Sequence, residues 1–309
     1  MSVIRSLRPM LLSLILLGAA AEGGGVAMPL AHAQNAPLLA VTQAGQRMIA
    51  LGDHGVVILS DDGHTWRQAK SVPVDGLLTA LSFVDAQQGW AVGHGGVLLK
   101  TDDGGETWTL LQRMEGQPVL LSVWFENTRH GIVVGAYGYA AQTEDGGQSW
   151  TRLSVGEEGD DYHLNHIFPG PDNSLFVAAE MGNAYRSMDR GTTWQKLDTG
   201  VRGSLWGGLG LRSGRLLLVG MSGRVLVSDN LGDSWRELSS GSQEAITAVA
   251  QRSDGRVTLV GNGGLVAESD ANLERFNASR REDRLNLSAL APLDDGRLLL
   301  FGSVGVVQQ

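Results

Sequence analysis

A tryptophan that returns about every 42 residues is the feature that most limits the fold of this chain. The interval is 42 residues from Trp66 to Trp108 and again to Trp150, then 44 to Trp194 and 41 to Trp235. A period of this length is typical of one four-stranded blade of a β-propeller. The sequence therefore predicts a series of small, similar sheets.

A second repeated marker gives the number of sheets. Seven apolar runs each end in a small residue, with another glycine three positions later; the run ends are Gly52, Gly93, Gly135, Ala179, Gly220, Gly261 and Gly302. Short β-branched and leucine-rich runs bounded by glycine predict strands throughout. We therefore predict an all-β, seven-bladed β-propeller that fills residues 34–309 as a single domain.

The last repeat is shorter than the others. It supplies three predicted strands, at 287–293, 297–302 and 306–309, but no fourth strand with a tryptophan. An unpaired strand edge is open to pairing with another chain. Two alternatives follow: residues 34–36 add a partial outer strand, or the seventh blade stays three-stranded.

The beginning of the chain has the composition of a secretory leader. Arg5 and Arg8 precede an apolar run over 10–17, and a stretch of small residues ends at Ala33. This order is typical of a signal peptide, and we predict one over residues 1–33 with removal after Ala33. The apolar run is shorter than the roughly 20 residues that span a bilayer. We expect a monomeric periplasmic or secreted protein that does not insert into the membrane.

Charge and cysteine content exclude several classes of function. The chain has a formal net charge of −9 at pH 7 and no cysteine. Nucleic acid is not expected as a partner, because phosphate binding needs a basic surface. Thiol catalysis and thiolate metal sites are excluded, and we expect no cofactor.

Each of the five periodic tryptophans follows an acidic turn or its Asn-containing copy. The pattern Ser/Thr-x-Asp-x-Gly-x-Thr/Ser-Trp occurs at 101–108, 143–150 and 187–194, and it resembles the Asp-box, or BNR repeat. We predict that each turn joins the third and fourth strands of a blade, with the acid bonded to amides of its own loop. We interpret one set of residues as structural: Asp62, Asp103, Asp145, Asp189, Asn230, Trp66, Trp108, Trp150, Trp194 and Trp235. Asn230 replaces the acid in the fifth copy, a change that a turn tolerates more readily than a reaction does.

Sialidases also carry Asp-boxes, so a carbohydrate-active hydrolase is the alternative hypothesis. The Phe/Tyr-Arg-Ile-Pro signature of sialidases is absent. The available tyrosines are Tyr137, Tyr139, Tyr162 and Tyr185, and neither Tyr137 nor Tyr185 falls on an inner strand. A glycosidase with two carboxylates stays open. The acidic residues Glu157, Glu158, Asp160 and Asp161 are interpreted as a solvated loop.

One face of the predicted propeller carries the hairpin tips and the loops between blades, and a partner would bind there. The candidate binding residues are Asp53, His54, His94, Tyr137, Glu180, Arg202, Arg280, Arg281 and Arg284. Asp53, His54 and His94 would form a metal site only if two tips met; solvated side chains are commoner at such positions, and no metal is expected. We interpret His163 and His166 as polar lining of the channel mouth, and Arg215, Arg256 and Arg297 as salt-bridge partners of aspartates in their own turns.

The stretch GWAVGHGGVLLKTDDGGETW, residues 89–108, narrows the resemblance. It is similar to the blades of the photosystem II stability and assembly factor family, and the similarity covers 37–309. The resemblance implies a non-enzymatic propeller that binds a protein during assembly of a membrane complex. In a non-photosynthetic bacterium it implies a similar role toward an envelope complex. The family uses an arginine patch, which no motif of this chain assigns to particular residues.

Overall fold

A computed structural model of the protein describes residues 25–157 and 159–307. Residues 1–24 of the predicted leader, Glu158 of the acidic loop and residues 308–309 lie outside the described residues. The chain forms seven antiparallel sheets, six with four strands and one with three, each in chain order from the inner to the outer strand. The predicted seven-bladed all-β propeller is confirmed. No helix within the described ranges is both long and apolar enough to cross a membrane.

The strands follow one another blade by blade. Blades 1 to 3 contain Leu38–Ala44 (β1), Arg47–Gly52 (β2), Val57–Ser60 (β3) and Arg67–Gln68 (β4); Leu78–Phe83 (β5), Gly89–Gly93 (β6), Val97–Thr101 (β7) and Thr109–Arg113 (β8); Leu120–Phe125 (β9), Gly131–Gly135 (β10), Ala140–Thr143 (β11) and Thr151–Arg152 (β12). Blades 4 and 5 contain Leu164–Pro169 (β13), Leu175–Ala179 (β14), Ala184–Ser187 (β15) and Gln195–Leu197 (β16); Leu205–Gly210 (β17), Leu216–Gly220 (β18), Arg224–Ser228 (β19) and Arg236–Ser239 (β20). Blades 6 and 7 contain Ile246–Gln251 (β21), Val257–Gly261 (β22), Leu265–Ser269 (β23) and Phe276–Arg280 (β24); Leu287–Pro292 (β25), Leu298–Gly302 (β26) and Gly305–Val307 (β27).

The hydrophobic core lies between neighbouring blades. Every residue of β6, β10 and β14 is buried, because a second strand is covered on both faces by the adjacent sheets. Between blades 2 and 3, Trp90 stacks on Phe125 with ring centroids 3.7 Å apart. Apolar runs without polar alternation are therefore what these strands require.

A β-bulge near the start of each inner strand sets the geometry of the axis. In blade 2 the register with the second strand shifts between Leu78 and Ala80, so Thr79 has no opposite partner. A bulge re-aims a side chain, and the Thr79 hydroxyl donates to the backbone oxygen of Leu120 in blade 3 at 2.7 Å. Three further residues at this position make the same link to the next blade: Asn165 to Leu205, Thr247 to Leu287 and Ser288 to Leu38.

The Ser288 bond joins the last blade to the first. Trp66 of blade 1 packs edge-on against Phe301 of blade 7, with ring centroids 5.6 Å apart. Residues 33–35 form a short 3-10 turn rather than a strand, and the described part of the chain gives the seventh blade three strands. Of the two alternatives for closure, the three-stranded blade is the one observed.

Candidate binding face

The seven hairpins between second and third strands lie on one side of the ring, here called the tip face. In every blade the first tip residue donates its backbone N–H to the carbonyl just before the inner strand, as Asp53 does to Pro37 at 3.0 Å. The other six bonds are His94 to Leu77, Ala136 to Val119, Glu180 to His163, Met221 to Ser204, Asn262 to Ala245 and Ser303 to Asn286. Because backbone atoms alone make these bonds, the tip side chains can vary without altering the ring.

The acidic turns occupy the opposite side, here called the Asp-box face. In blade 2, Asp103 Oδ1 accepts from the Thr101 hydroxyl at 2.8 Å and from the Thr107 N–H at 2.9 Å, and Oδ2 accepts from the Thr107 hydroxyl at 2.6 Å. The Gly105 N–H donates to the Thr101 hydroxyl at 3.0 Å. The carboxylate is therefore fully used inside its own turn.

The titration of these acids follows from the same bonds. The hydroxyl and N–H groups of Ser149 lower the pKa of Asp145 to about 2. The N–H groups of Thr65 and His64 hold the pKa of Asp62 well below its usual value. Burial alone would raise the pKa of Asp103, but the hydrogen bonds from Thr107 and Thr101 outweigh it and the net shift is downward. Carboxylates held as anions by their own loop are poorly suited to act as general acids.

Asn230 preserves the turn of blade 5 by reversing one bond. Its Oδ1 accepts from the Ser228 hydroxyl and the Ser234 N–H, as an aspartate would. Its Nδ2 then donates to the Ser234 hydroxyl at 3.0 Å, where blades 2 to 4 have a hydroxyl donating to a carboxylate. The exchange of acid for amide therefore keeps every contact.

The tryptophans that end these turns pack between their own blade and the preceding one. Trp108 is 4 % exposed, and its Nε1–H donates to the Gly105 carbonyl at 3.1 Å. Trp150 and Trp194 make the equivalent bond but are only half-buried. The indole nitrogens of Trp66 and Trp235 are buried and have no such partner.

The recurrent arginines of the Asp-box face connect turns. Arg297 pairs with Asp295 at 2.7 Å, and Arg256 pairs with Asp254 at 3.3 Å, each inside its own turn. Arg215 contacts Asp229 at 3.9 Å instead, across the blade. Arg215 and Arg297 also donate to backbone carbonyls in the acidic turn of the next blade, at Asn272 and Asp62. These side chains hold neighbouring blades together on this face.

On the tip face, blades 3 and 4 bring three polar residues into contact. The rings of Tyr137 and His163 meet edge-on, with centroids 4.7 Å apart. Glu180 Oε2 accepts from the His163 N–H at 3.0 Å and lies 3.3 Å from His163 Nδ1. Tyr137 and Glu180 were predicted here from the sequence. His163 belongs to this cluster and not to the lining of the axial cavity.

Large apolar side chains are exposed at the tips of the same side. Tyr137 is 75 %, Met181 is 60 % and Met221 is 42 % exposed, at successive tips of blades 3, 4 and 5. Tyr137 and Met181 have φ of 54° and 57°, a left-handed conformation that Gly95 and Gly263 adopt at the equivalent position of blades 2 and 6. A bulky residue at positive φ is strained by about 1 kcal/mol or more. Met221 was not predicted from the sequence, although it stands at the same first tip position as Asp53, His94 and Glu180.

Three of the four predicted arginines lie on the tip face where blade 6 connects to blade 7, away from the exposed apolar tips of blades 3 to 5. Arg280 pairs with Glu244 at 3.2 Å, and Arg281 contacts Asp283 through two nitrogens. Arg284 follows in the same connection, against the tip at Gly264. Arg202 lies in the connection between blades 4 and 5, where it is exposed and next to the Met181 tip. The structure therefore places three of the four arginines together, with Arg202 toward blades 3–5.

Asp53, His54 and His94 do not form a metal site. Asp53 and His54 pair only with each other, at 3.1 Å within one tip. Among residues 25–157 and 159–307, no group of three or more His, Asp or Glu side chains is arranged to hold a metal ion. The hypothesised meeting of the two tips at these three residues is not observed.

The acidic loop has a structural role at one of its residues. Asp160 lies 3.6 Å from Lys196 Nζ and accepts from the Tyr185 hydroxyl at 3.5 Å. Tyr185 is completely buried, and burial together with Asp160 raises the pKa of its hydroxyl. Such a phenol is unsuited to act as a nucleophile.

The axial cavity has a volume of about 290 Å³ and is lined by all seven inner strands. Its lining contains no Asp, Glu, Arg, Lys or Tyr; His166 and Trp206 are its largest polar side chains. His166 Nδ1 accepts from the Gly208 N–H of blade 5 at 3.2 Å, as the Ser122 hydroxyl accepts from Ile167 one blade earlier. Burial lowers the pKa of His166 to about 4, so the imidazole is neutral and can accept this bond. His166 therefore lines the cavity as predicted and also links two blades.

The profile of the family described as photosynthesis system II assembly factor YCF48 matches residues 58–306. The chain belongs to this family. Among solved structures, it is similar to YCF48 bound to D1 peptide, with 19 % identity, a TM-score of 0.73, and coverage of 88 % of this chain and 92 % of that one. YCF48 from Cyanidioschyzon merolae gives 16 % identity and a TM-score of 0.71, with coverage of 91 % and 96 %.

Streptogramin B lyase is also similar, with 10 % identity, a TM-score of 0.77, and coverage of 88 % of this chain and 93 % of that one. No curated protein matches the chain significantly. At these identities the structural similarities establish the propeller fold, which also occurs in enzymes. Function has to be argued from the faces described above.

Proposed function

We propose that this protein binds a segment of a partner protein on the tip face of blades 3 to 5 and performs no reaction of its own. The observation that carries the proposal is the row of exposed side chains at Tyr137, Met181 and Met221. Two of the three are held in a left-handed conformation that glycine adopts without strain at the same position of other blades. His54 and Ser222 adopt the same conformation at the tips of blades 1 and 5, so the exposed apolar surface, and not the backbone alone, distinguishes this row.

The chemistry of this row suits a polypeptide. Tyrosine and methionine supply apolar contact area, and methionine adapts its shape to different partners. Glu180 and Arg202 flank the row with one charge of each sign, and they would orient polar groups of the bound segment. Family membership supports the same proposal, since one YCF48 structure contains a bound D1 peptide. At 19 % identity we transfer the binding of a protein segment, not the identity of the peptide.

The axial cavity supports the non-enzymatic part of the proposal. A glycosidase with two carboxylates, or one with a tyrosine nucleophile, needs ionisable groups at the reaction site. The described lining of the cavity contains neither acid nor tyrosine. The acids of the opposite face are bonded within their turns. No observation favours the carbohydrate-active alternative.

We also propose that the protein acts outside the cytoplasm as a monomeric assembly or accessory factor for an envelope or membrane complex. The leader-like sequence at the beginning of the chain supports secretion. The membership in a family of assembly factors supports the role. A segment of a membrane-complex subunit that is exposed before assembly is the kind of partner that would fit.

Site-specific cross-linking tests the proposed face. Met181 and Met188 form a matched pair: both are methionine, they are 60 % and 52 % exposed, and they lie on the tip face and the Asp-box face respectively. A benzophenone amino acid at 181 should cross-link one envelope protein in cells, and the same group at 188 should not. The isolated partner segment should then bind Met181→Ser at least tenfold more weakly than Met188→Ser. Equal cross-linking from both positions, or equal affinity of both variants, would contradict the proposal.

A further inference from the structure

Residues 25–36 lie against the ring, although most of them belong to the predicted leader. The Ala27 N–H donates to the Val72 carbonyl at 3.0 Å, after the outer strand of blade 1. The side-chain amide of Gln68 in that strand makes two bonds to the backbone of the segment. Its Oε1 accepts from the Leu30 N–H at 2.9 Å, and its Nε2 donates to the Met28 carbonyl at 3.0 Å. Val26, Met28 and Leu30 keep their side chains exposed, so backbone groups make this attachment.

The end of the segment fills the seam between the first and last blades. Ala33 is 4 % exposed and packs with Met48 of blade 1 and Phe301 of blade 7. A Cβ atom at Gly305 would come within 1.9 Å of the Gln34 carbonyl oxygen, so the segment lies directly on the third strand of blade 7. Within residues 25–157 and 159–307, no fourth strand pairs with it. The segment therefore contacts the blade that is incomplete and the blade that follows it around the ring.

Two Ala-x-Ala tripeptides, the pattern that leader peptidases prefer, lie before the first strand. Ala19-Ala20-Ala21 follows the apolar run directly, and Ala31-His32-Ala33 comes twelve residues later. A leader that ends at residue 21 falls within the usual range of about 15 to 30 residues, and one that ends at 33 exceeds it. A cut after Ala33 would also remove every contact of residues 25–33 and place a charged amino terminus at Gln34, in the apolar seam.

We propose that the leader is removed after Ala21 and that residues 25–36 remain in the mature protein as a latch across the seam of blades 7 and 1. The inference rests on the proposed secretion and deepens it, because it specifies the processing site and gives the retained residues a function. The latch closes the ring without adding a strand. It supplements the axial bond from Ser288 to Leu38 with contacts on the outer side of the ring.

Intact-mass analysis and amino-terminal sequencing of the protein, expressed with its whole leader in a bacterium and purified from the periplasm or medium, test the site. We expect a chain that begins at Glu22. A matched pair of variants at the third position before each cut strengthens the test: Ala19→Phe should block removal, and Ala31→Phe should leave it unchanged, since Ala31 is exposed in the fold. A mature chain beginning at Gln34 would overturn the inference and leave secretion intact. A chain that keeps Met1 would overturn both.

Thermal unfolding tests the latch independently of processing. Chains produced without a leader, beginning at Glu22 or at Gln34, should differ in Tm by on the order of 5 °C. The shorter chain loses three hydrogen bonds to blade 1, two within the 3-10 turn, at His32 and Ala33, and the buried Ala33 methyl group. Gln68→Ala in the longer chain should lower Tm by part of this amount and should have no effect in the shorter chain. Equal Tm values for the two chains would show that residues 25–33 do not act as a latch.

Discussion

Replacing Asp103 separates the geometric role of the Asp-box acid from its charge. Asp103→Ala removes the acceptor for Thr101 and for both groups of Thr107. A hydrogen bond to a charged group contributes about 1.5–3 kcal/mol when its donor is withdrawn from water, and less when water can replace the partner. Thr107 is exposed, so water can satisfy its groups, whereas Thr101 is buried. We expect Asp103→Ala to lower the free energy of unfolding by about 3 kcal/mol.

Asp103→Asn should cost much less. Asn230 shows in blade 5 that an amide fits the same turn, because its Nδ2 donates to the hydroxyl that would otherwise donate to a carboxylate. In blade 2 the Thr107 hydroxyl can turn to accept this bond. The loss is then limited to the exchange of charge-assisted for neutral hydrogen bonds, about 1 kcal/mol. The reciprocal change Asn230→Asp should be neutral or slightly stabilising.

Urea denaturation at pH 7 followed by tryptophan fluorescence measures these differences, with Tm as a second observable. For a domain of this size, 3 kcal/mol corresponds to a decrease in Tm of about 6–12 °C. Asp102→Ala is the control, because this neighbouring acid is exposed and pairs only with Lys100 on the surface. If Asp103→Asn destabilised the protein as much as Asp103→Ala, the charge and not the hydrogen-bond geometry would hold the turn, and the structural interpretation would fail.

Three further predictions follow. The pKa of His166 is about 4 in the fold instead of 6.5, so the unfolded chain binds the proton more tightly. The contribution of neutral His166 to the free energy of unfolding should be fully present above pH 6.5 and should fall by on the order of 3 kcal/mol by pH 4. His166→Asn keeps a hydrogen-bond acceptor but does not titrate, so it should flatten this part of the pH dependence in a series of unfolding measurements. Ser288→Ala removes the axial bond to Leu38 and should lower the free energy of unfolding by about 1 kcal/mol, with faster amide hydrogen exchange in blades 7 and 1 than in blade 4; uniform exchange would argue against ring closure by this bond. Met181→Gly should preserve or slightly raise Tm because it relieves a positive φ, whereas Met188→Gly, which has no such strain to relieve, should lower Tm; a loss of stability in both would contradict the assignment of strain to Met181.

The repeat predicted the architecture because equivalent positions of the blades require the same types of residue. Buried second strands require apolar runs, tips require a residue compatible with positive φ near a glycine, and acidic turns require a fixed spacing of Ser or Thr, Asp and Gly. These demands are local, so residues such as Gly93, Asp103 and Trp108 carry a readable signal. The bounds of β25 and β26 differ from the predicted ones by at most one residue, since they depend on the same pattern; the end of the strand predicted over 306–309 lies outside the described residues.

The contacts between blades were not predictable in the same way. The residue at the inner-strand bulge is leucine in blades 1 and 3, threonine in blades 2 and 6, asparagine in blade 4, tryptophan in blade 5 and serine in blade 7. Only some of these side chains can donate a hydrogen bond to the next blade. The acceptor is a backbone oxygen, which every residue has, so no residue type in the sequence identifies it. His163 was interpreted as channel lining for a related reason. The spacing of His163 and His166 predicts alternate faces of an extended strand, but not that His163 precedes the strand and contacts Tyr137.

The positions of the stabilising contacts explain why the tip face is available for binding. The axis is held by side chains of the inner-strand bulges, and the Asp-box face is held by carboxylates and by arginines that reach the next blade. Every tip shares one backbone bond from its first residue, whereas side-chain bonds at the tips, such as those from the His163 N–H to Glu180 and from the Gly263 N–H to Asn286, differ from blade to blade. The middle tip residue is His54, Gly95, Tyr137, Met181, Ser222, Gly263 or Val304 in the seven blades. Because this position holds six residue types in seven blades, the ring itself does not require tyrosine or methionine there. His54 and Ser222 share the left-handed conformation, so what distinguishes Tyr137 and Met181 is exposed apolar surface at adjacent tips, which the proposed partner segment would cover.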